Sequence, residues 1–149
     1  MALYGPALLR LAAGLVLVAH GVHKLFGAGS GGGLTATAQF FAQLGLSPAF
    51  ALAMLAGLAE IFGGLLLLAG LFTRATAAVF ALQMLAALWK VHWNHVPGAG
   101  HGYELDVVLA AVLGSLLLTG PGALSLDRSR PQEPGASTVQ PAPQQSGAV

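Results

Sequence analysis

The sequence predicts an all-α integral membrane protein, a bundle of four transmembrane helices with a short interfacial helix in the first loop. Three observations carry that prediction. Hydrophobic residues make up 56% of the 149-residue chain and charged residues 7%, where a soluble domain holds roughly 25% charged residues. The apolar residues gather in separate stretches close to the ~20 that a helix needs to cross a hydrocarbon core. Those stretches are rich in Ala and Leu and lack the period-two alternation of a barrel strand. Six Lys and Arg with five Asp and Glu cannot cover a water-soluble globule of this size, which excludes an ordinary soluble enzyme domain. A formal net charge of +1 offers too little phosphate attraction for a nucleic-acid partner. The chain has no cysteine, so it builds no disulfide, thiolate metal site or dithiol relay of its own.

The first span runs from Ala7 to Phe26. Arg10 and the apolar run after it have the look of a signal peptide, but His20-Gly21-Val22-His23-Lys24 offers no small-x-small cleavage site, so the span reads as an uncleaved helix. Gly27–Gly33 is a glycine-rich link without the Gly-Lys-Ser/Thr ending of a phosphate loop. Thr35–Leu44 reads as the interfacial helix, carrying Phe40 and Phe41 and ended by Gly45. Ala49–Phe72 and Ala75–Trp93 are the second and third spans, joined by a tight turn around Thr73 and Arg74, which makes them an antiparallel hairpin. An outward loop rich in His and Gly, Asn94–Gly102, leads to the fourth span, Tyr103–Thr119. Residues 1–126 thus form one membrane domain. Residues 127–149 are Pro-, Gln-, Ser- and Gly-rich and read as a disordered cytoplasmic tail. With four crossings, Arg10, Arg74, Arg128 and Arg130 share one side against Lys24 and Lys90 on the other, which puts both termini in the cytoplasm.

Charge is so scarce that its placement is informative. Glu60 lies 11 residues into the second span, about 16 Å of rise and so near the bilayer midplane. An ionisable group at that depth faces the bundle interior, paired or hydrated. Gly57 and Gly64 share its helix face and let a neighbouring helix approach. Glu60 reads either as a residue that glues helices together or as a carboxylate that handles protons or a ligand. His20 and Lys24 form an i, i+4 pair on a glycine-lined face, and Gln83, Ala87, Lys90 and Asn94 share a face of the third span. For either lysine taken alone, snorkelling to headgroups is the favoured reading. Glu104 and Asp106 open the fourth span, where carboxylates also complement the helix N-terminus. Trp89 and Trp93 read as interfacial anchors. His20, Lys24, Glu60, Lys90, Glu104 and Asp106 are therefore expected to line one outward-opening polar pocket. His92, His95 and His101 are weak candidate metal ligands, since their spacing matches no strong motif, and no metal site is assigned.

Several segments, taken in order, resemble the DoxX family of small four-helix membrane proteins. They are His20-Gly21-x-x-Lys24-Leu25-Phe26-Gly27, Phe40-Phe41-x-x-Leu44-Gly45-Leu46, and Glu60-x-x-Gly63-Gly64 running on to Gly70-Leu71-x-Thr73-Arg74. Gly102-Tyr103-Glu104-Leu105 and Gly120-Pro121-Gly122-x-x-Ser125-Leu126-Asp127 complete the set. The resemblance implies a multi-pass protein of the bacterial inner membrane. The family takes its name from a subunit of a thiosulfate:quinone oxidoreductase, and some members are linked to thiol-redox or detoxification complexes. The function expected is therefore a membrane subunit or accessory of a quinone-linked redox system, with quinone as a possible bound cofactor. Its expected partners are membrane lipids, a redox partner protein and further copies of the chain. A small-solute transporter and a membrane scaffold for a partner enzyme are the alternatives.

Overall fold

The computed structural model describes residues 4–27, 32–94, 103–123 and 125–129. The helices are α1 (Tyr4–Phe26), α2 (Gly33–Gln43), α3 (Ala49–Ala69), α4 (Thr73–Asn94) and α5 (Tyr103–Thr119), followed by a short 3-10 turn at Leu126–Ser129. The described residues contain no strand. Apolar run and helix coincide within a few residues, and α1, α2, α3 and α5 each end at or close to a glycine. Gly45 (φ 73°) stops α2, with its N–H on Ala42 O and the Leu46 N–H on Phe41 O. Gly70 (φ 69°) stops α3 in the same way, with its N–H on Leu67 O and the Leu71 N–H on Leu66 O. A residue with a Cβ pays a steric penalty in that left-handed conformation.

The four long helices close into a ring. α1 packs on α3, α3 on α4, α4 on α5, and α5 returns to α1, while α2 lies against α1 and α3. The centre is filled by Ala13, Leu17, Leu67, Ala77, Phe80, Met84, Leu109, Leu113 and Leu116. The outside is as apolar as the inside, with Leu8, Leu15, Phe62, Leu82, Trp89 and Leu118 all exposed. That is the surface of a protein solvated by lipid. Among the described residues α1 and α3 are the helices long and apolar enough to cross a membrane. α4 is less apolar, with Arg74 and Lys90 near its ends, and α5 is shorter, at 17 residues.

The α1–α3 contact rests on glycine. Gly14 and Gly21 of α1 meet Gly64 and Gly57 of α3 in one antiparallel register. A Cβ at Gly14 would stand 2.9 Å from Gly64 O, and one at Gly64 would stand 2.7 Å from Gly14 O. Leu25 covers Gly57, and the Phe80 ring of α4 occupies the place of a Cβ at Gly63. Without hydrocarbon-excluding water to drive helices together, such close backbone approach is what dispersion requires. Gly21→Leu is therefore expected to lower the thermal midpoint in detergent micelles, by a cost of about 1–3 kcal/mol for overpacking. Gly114→Ala, with nothing within 4 Å of the new methyl, is expected to leave the midpoint unchanged or raise it. Circular-dichroism melts of the two variants check this.

Candidate functional site

Glu60 sits on the α3 face that the glycines leave smooth, and it is fully buried. The close α1–α3 approach lets Lys24, on the last turn of α1, reach it: Lys24 Nζ donates to Glu60 Oε1. From α4, Gln83 Nε2 donates to the same oxygen at 2.6 Å. One carboxylate oxygen therefore ties together three helices. The other, Oε2, is buried and has no hydrogen-bond partner among the described residues. A carboxylate oxygen in low dielectric without a donor is costly.

The surroundings of Lys24 are polar on several sides. Its carbonyl accepts from the Thr37 hydroxyl at 3.0 Å, which ties α2 to the end of α1. One turn earlier, His20 Nδ1 donates to Val16 O at 3.0 Å. An open recess on α1 is lined by Ala19, His20, Val22 and His23. Asp106, half-buried on the first turn of α5, lies within electrostatic reach of both His20 and Lys24. Of the residues expected in one pocket, the structure joins Lys24 and Glu60 directly and sets His20 and Asp106 beside them. Lys90 and Glu104 are exposed. His92 lies on α4, but its side chain, together with His95 and His101, falls outside the described residues.

Gln83 emerges as a member of the cluster that its sequence position alone did not single out. Its signal was an amide within an apolar run, on the same helix face as Lys90. A second group, at the opposite end of the bundle, was read differently. Arg10, taken from the sequence as a flanking charge, is only 2% exposed. It is buried because Gly70, lacking a Cβ, leaves room for its guanidinium and because Asp127 lies within its electrostatic reach. Asp127, counted with the tail, accepts from Phe72 N through Oδ1 and from Thr73 N through Oδ2, each at 2.8 Å, and so caps α4. Its own N–H donates to Gly70 O at 2.9 Å, and Ser125 Oγ donates to the same carbonyl at 2.8 Å. These bonds hold Phe72 at φ 49°, a conformation that costs a residue with a side chain about 1–2 kcal/mol.

Lys24→Met leaves a fully buried carboxylate without its cation, and should destabilise the protein by about 1–3 kcal/mol. Adding Glu60→Leu to Lys24→Met should recover part of that loss, because the charge that needed the lysine is gone. Thermal melts of both single variants and the double variant read the coupling, and strict additivity would argue against the pair.

The DoxX family model matches residues 5–93, a stretch that includes Lys24, Glu60 and Gln83. The chain is 35% identical to the "Putative oxidoreductase CatD" of Bacillus subtilis over 123 residues, covering 83% of this chain and 84% of that one. It is 31% identical to the "Inner membrane protein YphA" of Escherichia coli over 125 residues, covering 80% of this chain and 85% of that one. An uncharacterised protein of Haemophilus influenzae is 33% identical over 81 residues, half of this chain and 58% of its own. No solved structure matches. An apolar-surfaced helical bundle, the family match and these two long alignments together make the chain a member of the DoxX family of membrane proteins.

Proposed function

We propose that this chain is the membrane component of a redox system and holds a quinone-type, lipid-soluble carrier beside Lys24, Glu60 and Gln83. The observation that carries the reading is Glu60, fully buried, held through one oxygen and unpartnered at the other. The Bacillus subtilis relative, named "Putative oxidoreductase CatD", supports the same direction. The polar set fits the head of such a carrier: an ammonium with further N–H groups and an amide as donors, an imidazole nitrogen and a carboxylate oxygen as acceptors. When bound, the carrier supplies two-electron, two-proton chemistry. The chain's own residues hold its oxygens, exclude water through the α1–α3 seam, and pass protons between Glu60 and the outer side by way of Lys24, His20 and Asp106. Electrons pass between the carrier and a partner protein, since the chain has no cysteine to carry them as thiols.

The same reading makes α1, α3, α4 and α5 four crossings of the bacterial inner membrane, with α2 along the outer interface. Arg10, Arg74 and Arg128 then lie on the cytoplasmic side with both termini. A chain without cysteine suits site-directed labelling. A cysteine introduced at Ser47 should react with a membrane-impermeant maleimide on intact spheroplasts, and one at Arg74 only after lysis; the reverse pattern inverts the topology.

The carrier is tested with the purified full-length protein in mild detergent. Mass spectrometry should find a co-purified quinone or quinol, and adding decylbenzoquinone or its reduced form should raise the thermal midpoint. Lys24→Met should reduce that shift. Protein that carries no such molecule, and whose midpoint neither form moves, rules the reading out.

A further inference from the structure

Oxygen by oxygen, Glu60 is divided. Oε1 accepts from Lys24 Nζ and from Gln83 Nε2 at 2.6 Å. Two donors converging on one oxygen, one of them an ammonium, mark the group as an ionised carboxylate, an acceptor without a proton to give. Oε2 is buried with no partner among the described residues. No other charged side chain comes from α3, and α2 contributes none at all. On α1 the nearby groups are His20 and Lys24, and on α5 Asp106 and the exposed Glu104; α4 adds Gln83 and the exposed Lys90. The side chain of Lys24 is 25% exposed and that of Glu60 0%, so the cluster meets the surface on the lysine side.

A ligand group that settles on Oε2 must donate a hydrogen bond. The two redox forms of a quinone-type carrier differ in just this property: the oxidised form presents carbonyl acceptors, the reduced form hydroxyl donors. A carbonyl oxygen brought against an unpartnered carboxylate oxygen is repelled, while a hydroxyl makes a charge-assisted bond. Sites that hydrogen-bond a hydroxyl discriminate sharply against the analogue that lacks it, because their polar atom is then left buried and unpaired.

We infer that the Glu60 site selects the reduced, hydroxyl-bearing form of its carrier, with Glu60 Oε2 as the acceptor of a ligand hydroxyl. This rests on the carrier-binding reading above and adds to it the redox state that is bound. Glu60 is then the specificity-determining residue, and Lys24 and Gln83 position it by occupying its other oxygen.

Binding is measured on the full-length protein in detergent under anaerobic conditions, by calorimetry with decylhydroquinone, decylbenzoquinone and the dimethyl ether of decylhydroquinone. The hydroquinone should bind about 10- to 100-fold tighter than either of the others, the range of one charge-assisted hydrogen bond. The dimethyl ether keeps the ring and oxygens but cannot donate, so it separates hydroxyl donation from fit. In Glu60→Gln the hydroquinone should fall to the level of the quinone. Where that variant does not fold, the three ligands on the natural chain decide the matter alone. Equal affinity for all three overturns the selectivity and leaves carrier binding standing. A tighter quinone also overturns it and makes Glu60 a proton donor. Failure of every ligand to bind removes carrier binding and the selectivity together.

Discussion

The rest of this bundle depends on one requirement: a carboxylate placed deep among apolar helices must find a cation and donors within the protein. Hydration is not at hand there, and an unpaired charge costs several kcal/mol. Glu60 meets the requirement only because α1 comes close enough for Lys24 to cross to α3. That closeness is a property of Gly14, Gly21, Gly57 and Gly64, whose missing side chains let two backbones touch. The ion pair and the glycine seam are thus one device. Larger residues in the seam would separate Lys24 from Glu60, and loss of Lys24 would leave the seam enclosing an uncompensated charge.

α4 and α2 extend the same device. Gln83 brings α4 to the shared oxygen, while the Phe80 ring, one turn away on α4, fills the space left at Gly63. Polar contact and apolar contact therefore fix the same helix pair at neighbouring heights. Thr37 ties α2 to the carbonyl of Lys24 itself. The short α2 helix is thereby anchored to the residue on which the buried charge depends, and a movement of α2 would be felt at the ion pair.

How much of this could be read from the chain follows from how local each cause is. Helix extents were legible because apolar runs and their glycine stops lie in consecutive residues, as at Gly45 and Gly70. Glu60 was legible because depth in a span is counted along one helix. Its partner was harder. Lys24 could be placed on a glycine-lined face, yet the register that brings it to Glu60 arises between helices. The burial of Arg10 was hidden for the same reason: beside an apolar run it gave only a side of the membrane, and its burial comes from Gly70 and a segment more than a hundred residues later. Lys90 and Glu104 were grouped with the others by height in the membrane. Height says nothing of rotation about the helix axis, and both are exposed.

The two carboxylates at the two ends of the bundle distinguish structural from functional use of charge. Asp127 places one oxygen on Phe72 N and the other on Thr73 N. Both are engaged by backbone that any helix start must satisfy, so the group is accounted for by folding alone. Glu60 receives two side-chain donors on one oxygen and none, among the described residues, on the other. If its task were only to join helices, rotating the carboxylate to take one donor on each oxygen would join them equally well and leave nothing unpaired. The observed arrangement instead concentrates the protein's donors on Oε1 and keeps Oε2 as an acceptor in low dielectric, where a hydrogen bond from an incoming group is strongest. That asymmetry, more than the presence of an acidic residue in a membrane helix, is the physical argument for reading Glu60 as a ligand site.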